Sequence, residues 1–228
     1  MQRPAGGVSS GVMRGLEELV DRSEPGIALV REWMTTAKRP VELLPCVPED
    51  GQRTLLDLQV TTRSPMGALA YETGGLLVDD GWVRVLGAGC ARLPRTITRW
   101  NGIGGPHRLP GAILVGDDAL GGFFAIDGGR FGGAHGGVFY GAPDTLEWEA
   151  LDMSYSAWLG WLFEGDLDGF YGEDRWPRWR DEVRSLGGDR AFLVYPFLFC
   201  EGPPTAERSR GDVPIEELWG LLMGGRPE

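Results

Sequence analysis

Neighbouring carboxylates are the residues of this chain best suited to chemistry. They occur at Asp79-Asp80, Asp117-Asp118, Glu147 with Glu149, Asp166 with Asp168, and Glu173-Asp174. A converging pair can divide acid and base duties across a glycosidic bond or hold a magnesium ion. Adjacent acids in a hairpin are also ordinary turn formers that water solvates. The histidines are only two, His107 and His135. They lack an HxxxH spacing and read as surface-loop residues, and no GxSxG elbow accompanies them to suggest a triad. Gly87-Ala88-Gly89 and Gly102-Ile103-Gly104-Gly105 fall short of GxGxxG, and the single lysine, Lys38, stands in no P-loop. Both read as turn glycines. No catalytic residue, metal site or cofactor is assigned.

Charge and aromatic content point instead to binding. The formal net charge is −11, and residues 144–228 hold 18 of the 33 acids but only 8 of the 22 bases. An acidic field repels nucleic acid and anionic membrane and attracts basic partners, although solubility alone is an equally good reason for it. Nine tryptophans are present, and core packing is their default role. Trp158 with Trp161 and Trp176 with Trp179 sit among the C-terminal acids at helical spacing, where an acidic rim around an aromatic patch would also suit a protein partner. Asp117, Asp118, Asp166, Asp168, Glu173 and Asp174 are therefore candidate contacts, with Trp161 and Trp176 as candidate anchors.

The elements that must position these residues follow from periodicity. The 37 glycines suggest many turns and a strand-rich middle. Residues 1–12 read as a disordered leader and 13–228 as one domain. Helices are expected at Met13–Asp21 and Pro25–Ala37 and a strand at Val41–Leu44. Leu55–Thr62 reads as a strand or as the entry to the next helix. Ser64 then caps a helix with Pro65 at its first position, and Gly74-Gly75 stops it. Leu76–Val78 and Trp82–Leu86 pair around Asp79-Asp80-Gly81. Arg92–His107 is irregular, with a short helix near Pro94–Trp100. Ile113–Val115 pairs with Gly122–Asp127, and Val138–Tyr140 with Leu146–Trp148. Ser154 caps a helix whose Trp158, Leu159, Leu162 and Phe163 face inward. Trp176–Leu186 is a second helix, and Ala191–Phe199 is a buried strand that returns to the sheet. Pro203–Gly211 is a loop, and Pro214 opens a helix with Ile215, Leu218, Trp219 and Leu222 on one face. The three cysteines, in no metal-like spacing, read as reduced and mostly buried. The Met1–Gly15 segment shows no secretory apolar run, and no stretch approaches the ~20 apolar residues of a membrane span. The cytoplasm is the expected compartment. The fold class is α+β: a twisted, mostly antiparallel central sheet flanked by helices.

Three stretches carry a family resemblance: Leu69–Val78 with Gly81–Gly87, Val115–Asp127, and Tyr155-Ser156-Ala157-Trp158-Leu159. On them the chain resembles the SUKH superfamily of bacterial immunity-type proteins. More closely, from about Leu16 onward, it is similar to an uncharacterised bacterial domain-of-unknown-function family assigned to that superfamily. The resemblance implies a SUKH-like α+β domain and a non-enzymatic role in binding a protein, typically the neutralisation of a toxin. The residues from Gly165 to Glu228 extend beyond the minimal superfamily domain. The alternatives are a carboxylate- or metal-dependent hydrolase, which needs a cleft where two acids converge, and an adaptor that self-associates through exposed aromatics. Oligomeric state is left open.

Overall fold

Alternating apolar residues along the middle of the chain build an antiparallel meander. In the computed structural model, which describes residues 13–224, seven strands lie side by side in chain order. They are β1 (Val41–Pro45), β2 (Thr73–Val78), β3 (Val83–Leu86), β4 (Ala112–Asp118), β5 (Phe123–Asp127), β6 (Gly137–Gly141) and β7 (Trp148–Ser154). Each pairs antiparallel with the next. The expected leader at residues 1–12 lies outside the described residues.

Consecutive strand residues face opposite sides of a sheet, and Phe123 and Phe124 are both fully buried. Both faces of the sheet are therefore covered. On one face Phe124 meets Trp158 of α6 (Tyr155–Glu164), with ring centroids 5.0 Å apart. Helices α2 (Gly26–Thr36) and α4 (Pro65–Glu72) pack with α6. On the other face Phe123 meets Trp219 of α9 (Ile215–Leu222) at 4.8 Å and Trp100 of α5 (Ile97–Asn101) at 6.4 Å. The result is one α+β domain with a single continuous core. Ser64 and Ser154 cap α4 and α6 as expected, their hydroxyls accepting from the Gly67 and Ala157 amides at 3.0 and 3.3 Å. The inward faces expected for α6 and α9 are buried residue for residue.

Several expectations are corrected. No strand forms in the 55–62 segment: Leu55 to Leu58 end α3 (Pro48–Leu58), and 59–62 lead into α4. Pro48 opens that helix with Glu49 and Asp50 in its first turn, and Gly51, Thr54, Leu55 and Leu58 repeat at helical steps on its inner side. The initial helix shrinks to α1 (Leu16–Leu19). Gly74 and Gly75 do not stop α4; they lie inside β2, directly after it. A Cβ on Gly74 would fall 2.8 Å from Cys90 Cβ, and Gly75 has φ +133° with its Cβ position 2.5 Å from the Val85 carbonyl oxygen. They permit close backbone approach. The last strand of the meander starts at Trp148, later than Leu146.

The C-terminal part departs most. An unforeseen short helix, α7 (Leu167–Tyr171), precedes α8 (Trp179–Ser185). The late apolar strand, β8 (Arg190–Tyr195), does not join the main sheet. It pairs over six residues with β9 (Ser209–Pro214), a segment expected to be mostly loop. The main sheet keeps only chain neighbours as partners, and β8 is tied to it by Arg84 of β3, which donates to the Arg190 carbonyl, and by Phe192 N–H, which donates to the carbonyl of Ala119 just past β4 at 2.7 Å. The cysteines are free, but Cys46 and Cys90 are only half-buried and Cys200 is exposed. No helix among the described residues is long and apolar enough to cross a membrane.

Candidate functional site

The acids that looked most alike in sequence end in opposite environments. Asp117 and Asp118, at the end of β4, are completely buried, which removes both as partner contacts. Asp117 receives Arg84 at 2.6 Å and Arg95 at 2.5 Å, and both arginines are buried as well. Burial lowers the Arg84 pKa, an effect that Asp117 opposes. Asp118 projects to the other face of the sheet. There it accepts from the Tyr140 hydroxyl at 2.7 Å, the Tyr171 hydroxyl at 3.2 Å and the Leu120 and Gly122 amides at 2.9 Å. Burial raises its pKa above the usual carboxylate value against the pull of those donors. Burial and the Asp118 charge push both tyrosines well above their usual value.

The Asp79-Asp80 turn is not simply solvated. Asp79 is buried and takes Arg175 at 2.7 Å and Arg180 at 3.5 Å, while Asp80 takes Arg184 at 3.0 Å. The Arg175 guanidinium lies 4.3 to 5.1 Å from the ring centres of Trp179, Trp82 and Tyr171, a cation enclosed by aromatic faces. Trp176 is buried too, against Trp82, Phe192 and the Arg210 guanidinium. It cannot be an exposed anchor. These acids and aromatics pin the C-terminal part to the sheet. Arg180 and Arg184, one helical turn apart on α8, were the available signal for the pairing with the turn.

The remaining candidates lie along the end of α6, α7 and the turn after it, most of them exposed. Asp166 caps α7 by accepting from the Gly169 amide at 2.8 Å and stays exposed. Asp168, with a side chain 79% exposed, holds Arg175 at 2.6 Å. Glu173 is exposed in the next turn, and Asp174 is half-buried, accepting from Thr205 at 3.0 Å. Burial raises the Asp174 pKa, against the Thr205 hydrogen bond. Trp161 is half-buried and lies edge-to-face with Phe170, centroids 5.0 Å apart at 83°. Phe170 is the residue that sequence reasoning missed. Leu167 and Tyr171, four apart, take the buried side of α7, so Phe170 is left as an apolar residue facing out, 37% exposed. Glu164 is exposed at the end of α6. Two of the basic groups beside this face are engaged. Arg39 donates to the Leu162 and Gly165 carbonyls at 2.7 and 2.6 Å, and Arg175 is bound to Asp79 and Asp168.

No three His, Cys, Asp or Glu side chains converge to hold a metal ion among the described residues. His107 and His135 are exposed in loops, as expected. The buried carboxylates are each bound to guanidinium, hydroxyl or amide donors rather than facing one another across an open cleft.

Sequence comparison places these features in a group. A family model described as protein of unknown function DUF2625 matches residues 16–218. YbfG, an uncharacterised protein of Escherichia coli K12, is 41% identical over 212 residues, spanning 92% of this chain and 95% of its own length. An uncharacterised protein of Haemophilus influenzae Rd is 35% identical over 208 residues, 90% of this chain and 91% of its own. No solved structure matches the chain.

Proposed function

Since the chain belongs to the DUF2625 family, whose description names no activity, we propose a function from the geometry: a protein-binding module that takes a basic partner. One observation carries this reading. The Trp161–Phe170 edge-to-face pair reaches the surface in a stretch of chain, residues 161–173, that also carries the exposed acids Glu164, Asp166, Asp168 and Glu173. Aromatic side chains give large contact area at low entropy cost, and exposed acids steer and orient a cationic surface. The resemblance to the SUKH superfamily supports a finer form of the proposal, in which the partner is a toxin and binding occludes it. Membership of that superfamily is part of the proposal.

Affinity capture from host extract with the native protein and with a Phe170→Ser, Asp168→Arg variant tests this. The native protein should retain one stoichiometric basic protein that moderate salt releases, and the variant should lose it. Equal retention by both proteins would remove this face as the site, and an empty capture would remove the partner-binding reading.

A further inference from the structure

A polar cavity of about 550 Å³, sharing no lining residue with the aromatic face, lies between the β2–β3 hairpin, the segment 91–94 and the loop that follows α8. Its size falls in the range of small-molecule sites, about 300–1,000 Å³. Three arginines from three separate segments line it: Arg84, Arg92 and Arg184.

The floor carries unbalanced charge. Arg84 and Arg95 share the single carboxylate of Asp117, and none of the three side chains is more than 8% exposed. Their other bonds go to neutral acceptors: Arg84 to the Asp118 and Arg190 carbonyls, and Arg95 to the Gly188 carbonyl. The Arg84 Nε–H has no partner among the described residues. The Asp118 carboxylate, next along the strand, is taken up on the opposite face of the sheet by its two tyrosines. Two buried cations on one anion leave a positive field that the interior screens poorly.

The mouth supplies ligands that can be exchanged. Arg92 is paired with Glu42 and Arg184 with Asp80, and both arginine side chains are more than half exposed. The Arg92–Glu42 pair is exposed on both sides and so is weak, and Asp80, only 12% exposed, is shared by Arg184 with Arg180, which can hold it alone. The loop beside them is pressed into place, since a Cβ on Gly188 would lie 2.1 Å from the Arg92 carbonyl oxygen. Among the described residues the Gly187, Gly188 and Asp189 amides donate to no backbone carbonyl, and successive amides of this kind favour an anion. The Glu42, Asp80 and Asp189 carboxylates also line the cavity and oppose this field, Glu42 and Asp80 while paired with Arg92 and Arg184.

We propose that the cavity binds a small phosphorylated molecule, its phosphate held by Arg92 and Arg184 at the mouth and drawn in by the shared Arg84–Asp117–Arg95 cluster at the floor. Guanidinium groups match phosphate geometry, and the volume has room for the organic part. The site is independent of the acidic aromatic face, and its test does not involve that face.

The test is calorimetric titration of the full chain with ribose 5-phosphate, inorganic phosphate, ribose and acetate, with side-chain Nε–H resonances followed by NMR. Both phosphate probes should saturate and shift the Arg84 and Arg184 signals, while ribose should do neither. The Arg92→Ala, Arg184→Ala variant should bind at least ten-fold more weakly with at most a small fall in melting temperature, because Arg180 still pairs with Asp80. Failure of both phosphate probes to saturate, shifts confined to other residues, or unchanged affinity in the variant would overturn the proposal. Acetate binding as tightly as phosphate would overturn the phosphate assignment.

Discussion

Asp117 shows how much one side chain can settle. It is fully buried, and each of its oxygens faces a buried guanidinium. Removing one partner of a buried ionic cluster leaves the others uncompensated, which costs about 3–5 kcal/mol. Asp117→Asn keeps the shape and removes the charge, so the urea midpoint should fall by an amount corresponding to that loss. Adding Arg84→Met should recover part of it, because one stranded cation is then gone. A single variant with near-native stability would show that the cluster is not charge-bound. Asp118 is its neighbour in sequence and its opposite in chemistry, held among hydroxyl and amide donors on the far side of the sheet.

At the scale of elements, glycines set how closely segments approach. Gly51 on α3 packs directly on the end of α4, where a Cβ would lie 1.9 Å from the Tyr71 carbonyl oxygen. No side-chain rotation relieves a clash with backbone. Gly51→Ala must push α3 off α4, and overpacking of this kind costs about 1–3 kcal/mol, despite the better helix propensity of alanine. Chemical denaturation would check the direction, and a stabilised variant would contradict the packing. The same logic explains why Gly74-Gly75 does not stop α4. These residues are in a strand because their neighbours in the sheet leave no room for a side chain.

The molecule as a whole responds to pH through groups such as Asp118. Its folded pKa is raised by burial, so between the unfolded value, about 3.9, and the folded value the native state holds a proton that the unfolded chain has lost. Its contribution to stability is complete below pH 4 and declines as pH rises through the folded pKa. Carboxylates lowered by hydrogen bonds, Asp21 and Asp212 among them, act in the opposite sense, so a single pH curve mixes signs. The difference between the native protein and Asp118→Asn isolates the one group. The native advantage should shrink as pH rises from 4 toward 8, as read by unfolding free energies at several pH values. A difference that is flat or grows with pH would refute the raised pKa.

Local chemistry was enough to read much of this fold from the chain. The Ser64 and Ser154 caps, the Asp79-Asp80-Gly81 reversal, the β-rich middle and the apolar faces of α6 and α9 depend on neighbours within a few residues. The α+β class and most of the elements followed, while α3, α7 and β9 did not. Burial of charge was not readable, because it depends on partners far along the chain. Asp117 is 22 residues from Arg95, and Asp79 is 96 from Arg175. An isolated acidic pair in a hairpin looks solvated until an arginine from a distant segment covers it. The same distance hid the destination of β8, whose partner β9 had too few apolar residues to announce itself as a strand. Of the residues singled out for a partner, tertiary structure buried Asp117, Asp118 and Trp176, kept Asp166, Asp168 and Glu173 at the surface, and brought Phe170 against Trp161. Exposure is a property of the packed chain, set by what every other segment covers.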